Sequence, residues 1–365
     1  MSRAYITGAG CVTWLGLGLE PLKEAILGES KPFAVEELSP EYSVRVGRVG
    51  YLKDPESAVT YRRWGQVDTY SRYGYVAARL ALEQSGMESL SRDEYGVFLG
   101  TAYGCMEENQ RFDKYEVRDG VLKGASPLVF KGTVDNAPAG WIAVAWKLKG
   151  PNATFVSGDG AGAEAIWAGL RQVRRGRAPG LLCGGVERFV DLHLVLRDRD
   201  EAWQGEVLSE GAGVLLVEDD EALAARGRGV DTALAELVGV VRHRGSITEG
   251  LQSVGVRFGL QLDDVGLISL SVPSTERLAA ERSSFVEAVN TGGHGAALDG
   301  LEFAADKVTL GEFHGAWGGV AVCAALVRRG ENGPGWNGRK YAIVHVHGEG
   351  DESFYVALSE PVGTE

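Results

Sequence analysis

One stretch of the chain has residue types and spacing suited to chemistry. Residues 150–166 read Gly-Pro-Asn-Ala-Thr-Phe-Val-Ser-Gly-Asp-Gly-Ala-Gly-Ala-Glu-Ala-Ile. A β-branched and aromatic run breaks into a small-residue turn, then takes helical spacing through Ala165, Ile166, Leu170 and Val173. Such a strand-to-helix elbow holds one side chain at a helix N-terminus, where the peptide dipole and unpaired N–H groups stabilise negative charge. Ser or Cys at the apex would be a nucleophile. Here the apex is Asp159. Two readings stand at this point: a close-packed structural turn, or the architecture of a nucleophile site without its nucleophile.

His294 lies in the glycine-rich turn Asn290-Thr291-Gly292-Gly293-His294-Gly295-Ala296-Ala297, ahead of a helix. An imidazole there could polarise a carbonyl, move a proton, or serve the helix entry as a structural residue. His314, before Gly315-Ala316-Trp317-Gly318-Gly319, reads as a turn residue beside a glycine loop. The six histidines are scattered, so no metal is expected. Gly8-Ala9-Gly10 follows a strand, but Thr13 stands where a dinucleotide fingerprint needs its third glycine, so no cofactor is expected. No Ser/His/Asp set can be assembled from spacing alone.

These residues are carried by alternating strands and helices. Strands are expected at Ala4–Thr7, Gly96–Leu99, Thr154–Val156, Gly180–Cys183 and Gly213–Val217, with helices near 19–27, 70–85, 141–147 and 162–174. A charged, Ala-rich segment from Glu218 to Gly229 then divides the chain into a half spanning 1–218 and a half spanning 230–365. The second half repeats the order, with strands at 235–241, 265–270, 319–327 and 341–347 and helices near 249–259, 275–289 and 296–310. Alternation of this kind defines an α/β protein.

Composition narrows the function. The 365 residues carry a net charge of −13 and no long basic run, which argues against nucleic acid and anionic membranes as partners. Four cysteines without CxxC spacing read as buried thiols in a reducing, cytoplasmic setting. No signal peptide or membrane span is expected. The 52 glycines fall in turn-like contexts and imply tight turns and close packing of helices on strands.

Together the segments resemble the β-ketoacyl synthase family. The resemblance rests on Ile6-Thr7-Gly8-Ala9-Gly10-Cys11-Val12-Thr13-Trp14-Leu15-Gly16, Ala81-Leu82-Glu83-Gln84-Ser85-Gly86 and Gly96-Val97-Phe98-Leu99-Gly100-Thr101. It continues through Asn136-Ala137-Pro138-Ala139-Gly140, Leu148-Lys149-Gly150-Pro151-Asn152, Cys183-Gly184-Gly185-Val186-Glu187 and Ser209-Glu210-Gly211-Ala212-Gly213-Val214-Leu215, with Gly315-Ala316-Trp317-Gly318-Gly319 set against a GFGG-like loop. The family implies a thiolase-like fold of two similar α/β halves in a five-layer αβαβα arrangement. It also implies a nucleophilic Cys and two His with an associated Lys. Register places Asp159 at the Cys and Ser271 at the first His; the Lys has no counterpart near Val289, and His294 is left as the second His. The connections between Glu187 and Glu206 and between Leu310 and Phe313 are short for the family.

With these positions degenerate, no catalytic residue is expected. The resemblance points to a chain-length factor, a ketosynthase-like subunit without the active-site Cys. Such a subunit pairs as a heterodimer with an active, Cys-containing ketosynthase, works with an acyl carrier protein, and shapes the tunnel of a type II polyketide, polyene or fatty-acid-like pathway. Phe130, Trp141 and Trp317 are candidate tunnel or gate residues, and the strand near 152–156 a candidate dimer face. The alternatives are a homodimeric acyl-binding scaffold, or a residual malonyl decarboxylase or acyltransferase.

Overall fold

The computed structural model describes residues 2–28, 31–39, 42–50, 52, 63–87, 93–198, 206–272, 274–330 and 335–361. One 11-stranded sheet runs through it. In chain order its main strands are β1 (Ala4–Thr13), β2 (Gly96–Thr101), β3 (Asn152–Val156), β4 (Gly180–Glu187) and β5 (Gly211–Asp219). They continue as β6 (Ala235–Arg244), β7 (Val265–Ser269), β8 (Glu302–Ala304), β9 (Tyr341–His347) and β10 (Glu352–Ser359). Their order across the sheet is β8-β7-β9-β10-β6-β1-β5-β4-β2-β3, with the short strand Gly16–Leu17 paired to β1.

That order contains a repeat. From its outer edge the first half reads third, second, fourth, fifth, first strand, and so does the second half. The pairing senses repeat as well. In each half the second strand is parallel to the third and fourth, and the fifth is antiparallel to the fourth and first. The two sets meet where β1 pairs antiparallel with β6 through Tyr5↔Glu236 and Ile6↔Ala235.

Helices pack around these strands in layers. α1 (Thr69–Gln84) and α2 (Ala137–Trp146) pack together, α1 against β1 and β5. α3 (Ala161–Arg174) contacts strands of both halves, and α4 (Ile247–Phe258) and α5 (Thr275–Thr291) cover the far face of the second half. α6 (Trp317–Val327) packs on α3 and on β5. The result is a mixed α/β fold with a large central sheet. Local signals set the ends of several helices: Asp68 caps α1 by accepting from Ser71 N at 2.7 Å, and Ser246 and Glu249 cap α4 reciprocally.

The structure corrects two sequence expectations. The segment 319–327, expected as a strand, is helix α6, with every residue buried. An apolar run buried on all sides has no polar face, so its period cannot tell helix from strand. The helix expected over 296–310 is instead a turn at Gly295–Leu298, the strand β8 and a short helix, Asp306–Leu310. A separate three-stranded sheet (Ala34–Ser39, Tyr42–Gly47, Leu208–Ser209) was not foreseen. Of the short connection between Glu187 and Glu206, residues 199–205 lie outside the described set.

Candidate functional site

The elbow forms as the sequence implies. β3 ends at Val156, a 3-10 turn covers Gly158–Gly160, and α3 begins at Ala161. Gly158 has φ +66°, and a Cβ there would crowd the Glu349 side chain, so glycine is required to turn the chain. A matching turn precedes the other central helix: His314–Ala316 is also 3-10, and α6 starts at Trp317. The two turns face each other. Asp159 Oδ1 lies 2.6 Å from His314 Nδ1.

His314 is held on several sides. It adopts φ +44°, an uncommon conformation for a residue with a Cβ. Its backbone N–H donates to Glu312 Oε1 at 2.8 Å, and its Nε2 lies 3.3 Å from the Tyr103 hydroxyl. Tyr103 in turn stacks on His193, with centroids 4.0 Å apart. Beneath this array the buried Glu187 carboxylate accepts from Thr101 Oγ1 and from the backbone N–H groups of Ala102, Tyr103 and Gly315. Burial pushes its pKa up to about 7 against those donors and the nearby His314. Glu187 therefore ties the end of β2 to the turn that carries His314.

Asp159 and His314 line a cleft of about 670 Å³ together with Ser271, Lys307, Glu312 and Glu349. Ser271 is buried; its N–H donates to Glu281 and its Oγ accepts from His347 N at 2.9 Å. Lys307 Nζ lies 2.7 Å from Glu312 Oε2, with both side chains almost fully buried. Removing one partner of such a pair would strand the other charge away from water. The cleft thus holds a lysine–glutamate pair and a histidine–aspartate pair, joined through the His314 N–H to Glu312 bond. None of the residues lining it is a cysteine; all four thiols are buried elsewhere.

Asp159 and Ser271 share the cleft, but His294 is not among its lining residues. His294 instead pairs with Asp263 at 3.3 Å, in an exposed contact beside the helix exit. The cleft imidazole opposite Asp159 is His314. A lysine not found near Val289 is present downstream as Lys307, five residues ahead of Glu312. The signal for both was a short run of ionisable residues, Lys307, Glu312 and His314, inside an apolar, glycine-rich segment. Trp317 is not among the residues lining the cleft; it is fully buried on α6, with Lys307 Nζ 5.1 Å from its ring centroid. The glycine turn that reaches the cleft is Gly348-Glu349-Gly350, after β9. Trp141 packs partly buried against the α1 side of the core, under Lys131. Phe130 is 58% exposed and contacts Phe112.

His193 gives the site a pH signature. Burial, then the neighbouring His314, lowers its pKa to about 4. Its Nδ1 accepts from Val190 N, which fixes the neutral form. An unfolded histidine titrates near 6.5, so below that pH unfolding takes up a proton. The stability it contributes is complete above pH 6.5 and lost as pH falls towards 4. Glu187 acts with the opposite sign, its contribution lost as pH rises from about 4.5 to 7. Comparing His193→Phe with the parent cancels the Glu187 term. The variant's stability should fall less steeply with acid between pH 6.5 and 4, by about 1.4 kcal/mol per pH unit, in denaturant titrations across that range. Equal slopes would show that His193 is not buried neutral.

Comparison with known proteins follows the same lines. The profile of the β-ketoacyl synthase N-terminal domain matches residues 2–222. The 3-oxoacyl-(acyl-carrier-protein) synthase 2 of Staphylococcus aureus (strain COL) is 26% identical over 261 residues, 65% of this chain and 62% of that protein. The chain therefore matches less than two thirds of that relative's length. The like-named protein of Rhizobium meliloti (strain 1021) is 26% identical over 380 residues, covering 92% of this chain and 88% of the other. Among solved structures, the ishigamide ketosynthase/chain length factor superposes with a TM-score of 0.77 at 19% identity, covering 98% of this chain and 99% of that one. This last likeness establishes the fold. No described helix is long and apolar enough to cross a membrane.

Proposed function

Because this chain belongs to the β-ketoacyl synthase family, we propose that it is a non-condensing, chain-length-factor-like subunit. It pairs with an active, Cys-bearing ketosynthase and shapes the acyl tunnel of that pair in a type II polyketide, polyene or fatty-acid-like pathway. An acyl carrier protein delivers the substrate, and its acidic surface docks on the partner rather than on this chain of net charge −13.

The observation that carries this reading is the Asp159–His314 pair. A carboxylate at the elbow apex, already engaged by an imidazole, cannot accept an acyl group as a stable thioester. The remaining positions agree. Ser271 stands at the first histidine, and we read Lys307 and Glu312 as the family's lysine and the position of its second histidine. The cleft then keeps the lysine and lacks the thiol and both imidazoles of a condensing site.

The sheet offers a face for a partner. β3 is the outer strand of the first half, and its residues are exposed or half-buried. Val156 on that strand is 56% exposed, and Val144 on the adjoining α2 is 59% exposed. An unpaired strand edge flanked by apolar side chains is a template for pairing with another chain.

Native mass spectrometry of the chain, alone and coexpressed with a Cys-bearing ketosynthase, tests the assignment. A one-to-one heterodimer is the expected result. A stable homodimer that ignores the ketosynthase would overturn it.

The same geometry favours one second reading. Asp159, bonded to Nδ1, orients the His314 ring, so the pair could move a proton during malonyl decarboxylation. Release of CO₂ from malonyl carrier protein by the isolated chain, lost in His314→Gln, distinguishes it.

A further inference from the structure

A second cluster of ligand-capable groups lies beside the cleft and is not used by the reading above. His345 and His347 are two residues apart on β9 and so project to the same face. Glu281 of α5 reaches them, and the donor atoms of all three lie within 4.8 Å of one another. Glu281 Oε1 is 2.5 Å from His345 Nδ1. The Glu281 carboxylate is also fixed by the N–H groups of Ser271, at 2.9 Å, and Val272, at 3.1 Å. His345 Nε2 lies 3.1 Å from Ser353 Oγ. An ion pair inside the core accounts for Glu281 and His345 alone. It leaves His347, which lines the cleft with its ring centroid 4.7 Å from that of His345.

We propose that Glu281, His345 and His347 form a binding site for one divalent d-block cation, zinc by its donor set, with an open coordination position facing the cleft. Two imidazole nitrogens and one carboxylate oxygen suit zinc, and three protein ligands leave a fourth position for water or a ligand oxygen. The surrounding bonds have the sense such a site needs. His345 can give its Nε2–H to Ser353, leaving Nδ1 for the ion, while the backbone donors orient the carboxylate. The ion takes the place of the hydrogen bond now joining Glu281 and His345. The pair must open from 2.5 Å to roughly 3.3 Å, the separation of two ligands about 2.0–2.1 Å from a tetrahedral ion. From the fourth position the ion would take an oxygen ligand, such as a carboxylate or a thioester carbonyl, entering the cleft beside Ser271.

The test uses the full chain, stripped with chelator and titrated separately with Zn²⁺ and Co²⁺. One ion per chain and the visible absorption of four-coordinate cobalt are expected. His347→Ala leaves the Glu281–His345 pair in place, so the fold is retained, and should weaken binding about 100-fold or more. His294→Ala, in the exposed contact with Asp263, should leave binding unchanged. No cobalt spectrum, or binding that survives His347→Ala, would overturn the proposal. So would binding that His294→Ala abolishes.

Discussion

Asp159→Cys should become acylated and still fail to condense. The substitution puts a thiol at the N-terminus of α3, opposite His314, whose Nδ1 now lies 2.6 Å from the carboxylate it replaces. A helix N-terminus and an adjacent imidazole both favour the thiolate, so the new thiol should be nucleophilic at neutral pH. Intact-mass spectrometry with an acyl thioester should show one acyl group added at residue 159, about 100-fold or more faster than at any thiol of the parent. All four native thiols are buried. Carbon–carbon bond formation needs more. In the family it draws on two histidines, and on our reading the corresponding cleft positions hold Ser271 and Glu312. With malonyl carrier protein the acylated variant should give no β-ketoacyl product. Product at a rate near that of an active ketosynthase would show that the lost histidines do not explain the inactivity, and the non-condensing assignment would fall.

Gly319→Val should be the most destabilising single change in the central layer. Gly319 of α6 lies against the backbone of Gly213 on β5, and a Cβ on either residue would overlap the other's backbone. The obstruction is main chain, so no rotamer relieves it, and the helix must move off the sheet. Loss of about 3 kcal/mol or more is expected, read as a lower denaturation midpoint. Gly140 on α2 provides the control. A Cβ there meets open space, and Gly140→Ala should hold or raise stability by up to about 1 kcal/mol. Equal effects of the two substitutions would mean that α6 and β5 are not in backbone contact.

The parts of this protein legible in the sequence were those with local causes. The elbow at 157–161 announced itself because a strand, a glycine turn and a helix must follow one another there. Ser271 and Asp159 were placed in one site by resemblance. His314 was passed over because its neighbours are glycines, and glycine-rich context reads as a turn whether or not a functional group is mounted on it. His294 has much the same context, yet its side chain pairs with Asp263 outside the cleft. What separates the two is which long-range surface each turn faces, and no local pattern records that. The internal repeat was legible only in the order of elements and through the resemblance, not in the residues, for a related reason. It lives in strand order and pairing sense, which five β-strands can share without sharing residues. Helix α6 was misread as a strand because its burial is complete: the core removed the polar face that would have revealed its period.

The repeat gives the Asp159–His314 contact a mechanical meaning. Each partner sits on the turn that leads into the central helix of its own half. The contact is therefore a rivet driven through the seam between two copies of one motif, at the point where both copies present the same end. Slip or rocking of one half against the other would alter this 2.6 Å contact, because its ends are mounted on turns of opposite halves. The His314 ring is thereby a built-in strain gauge. Its nitrogen resonances should report whether a partner docked against β3 shifts the first half relative to the second.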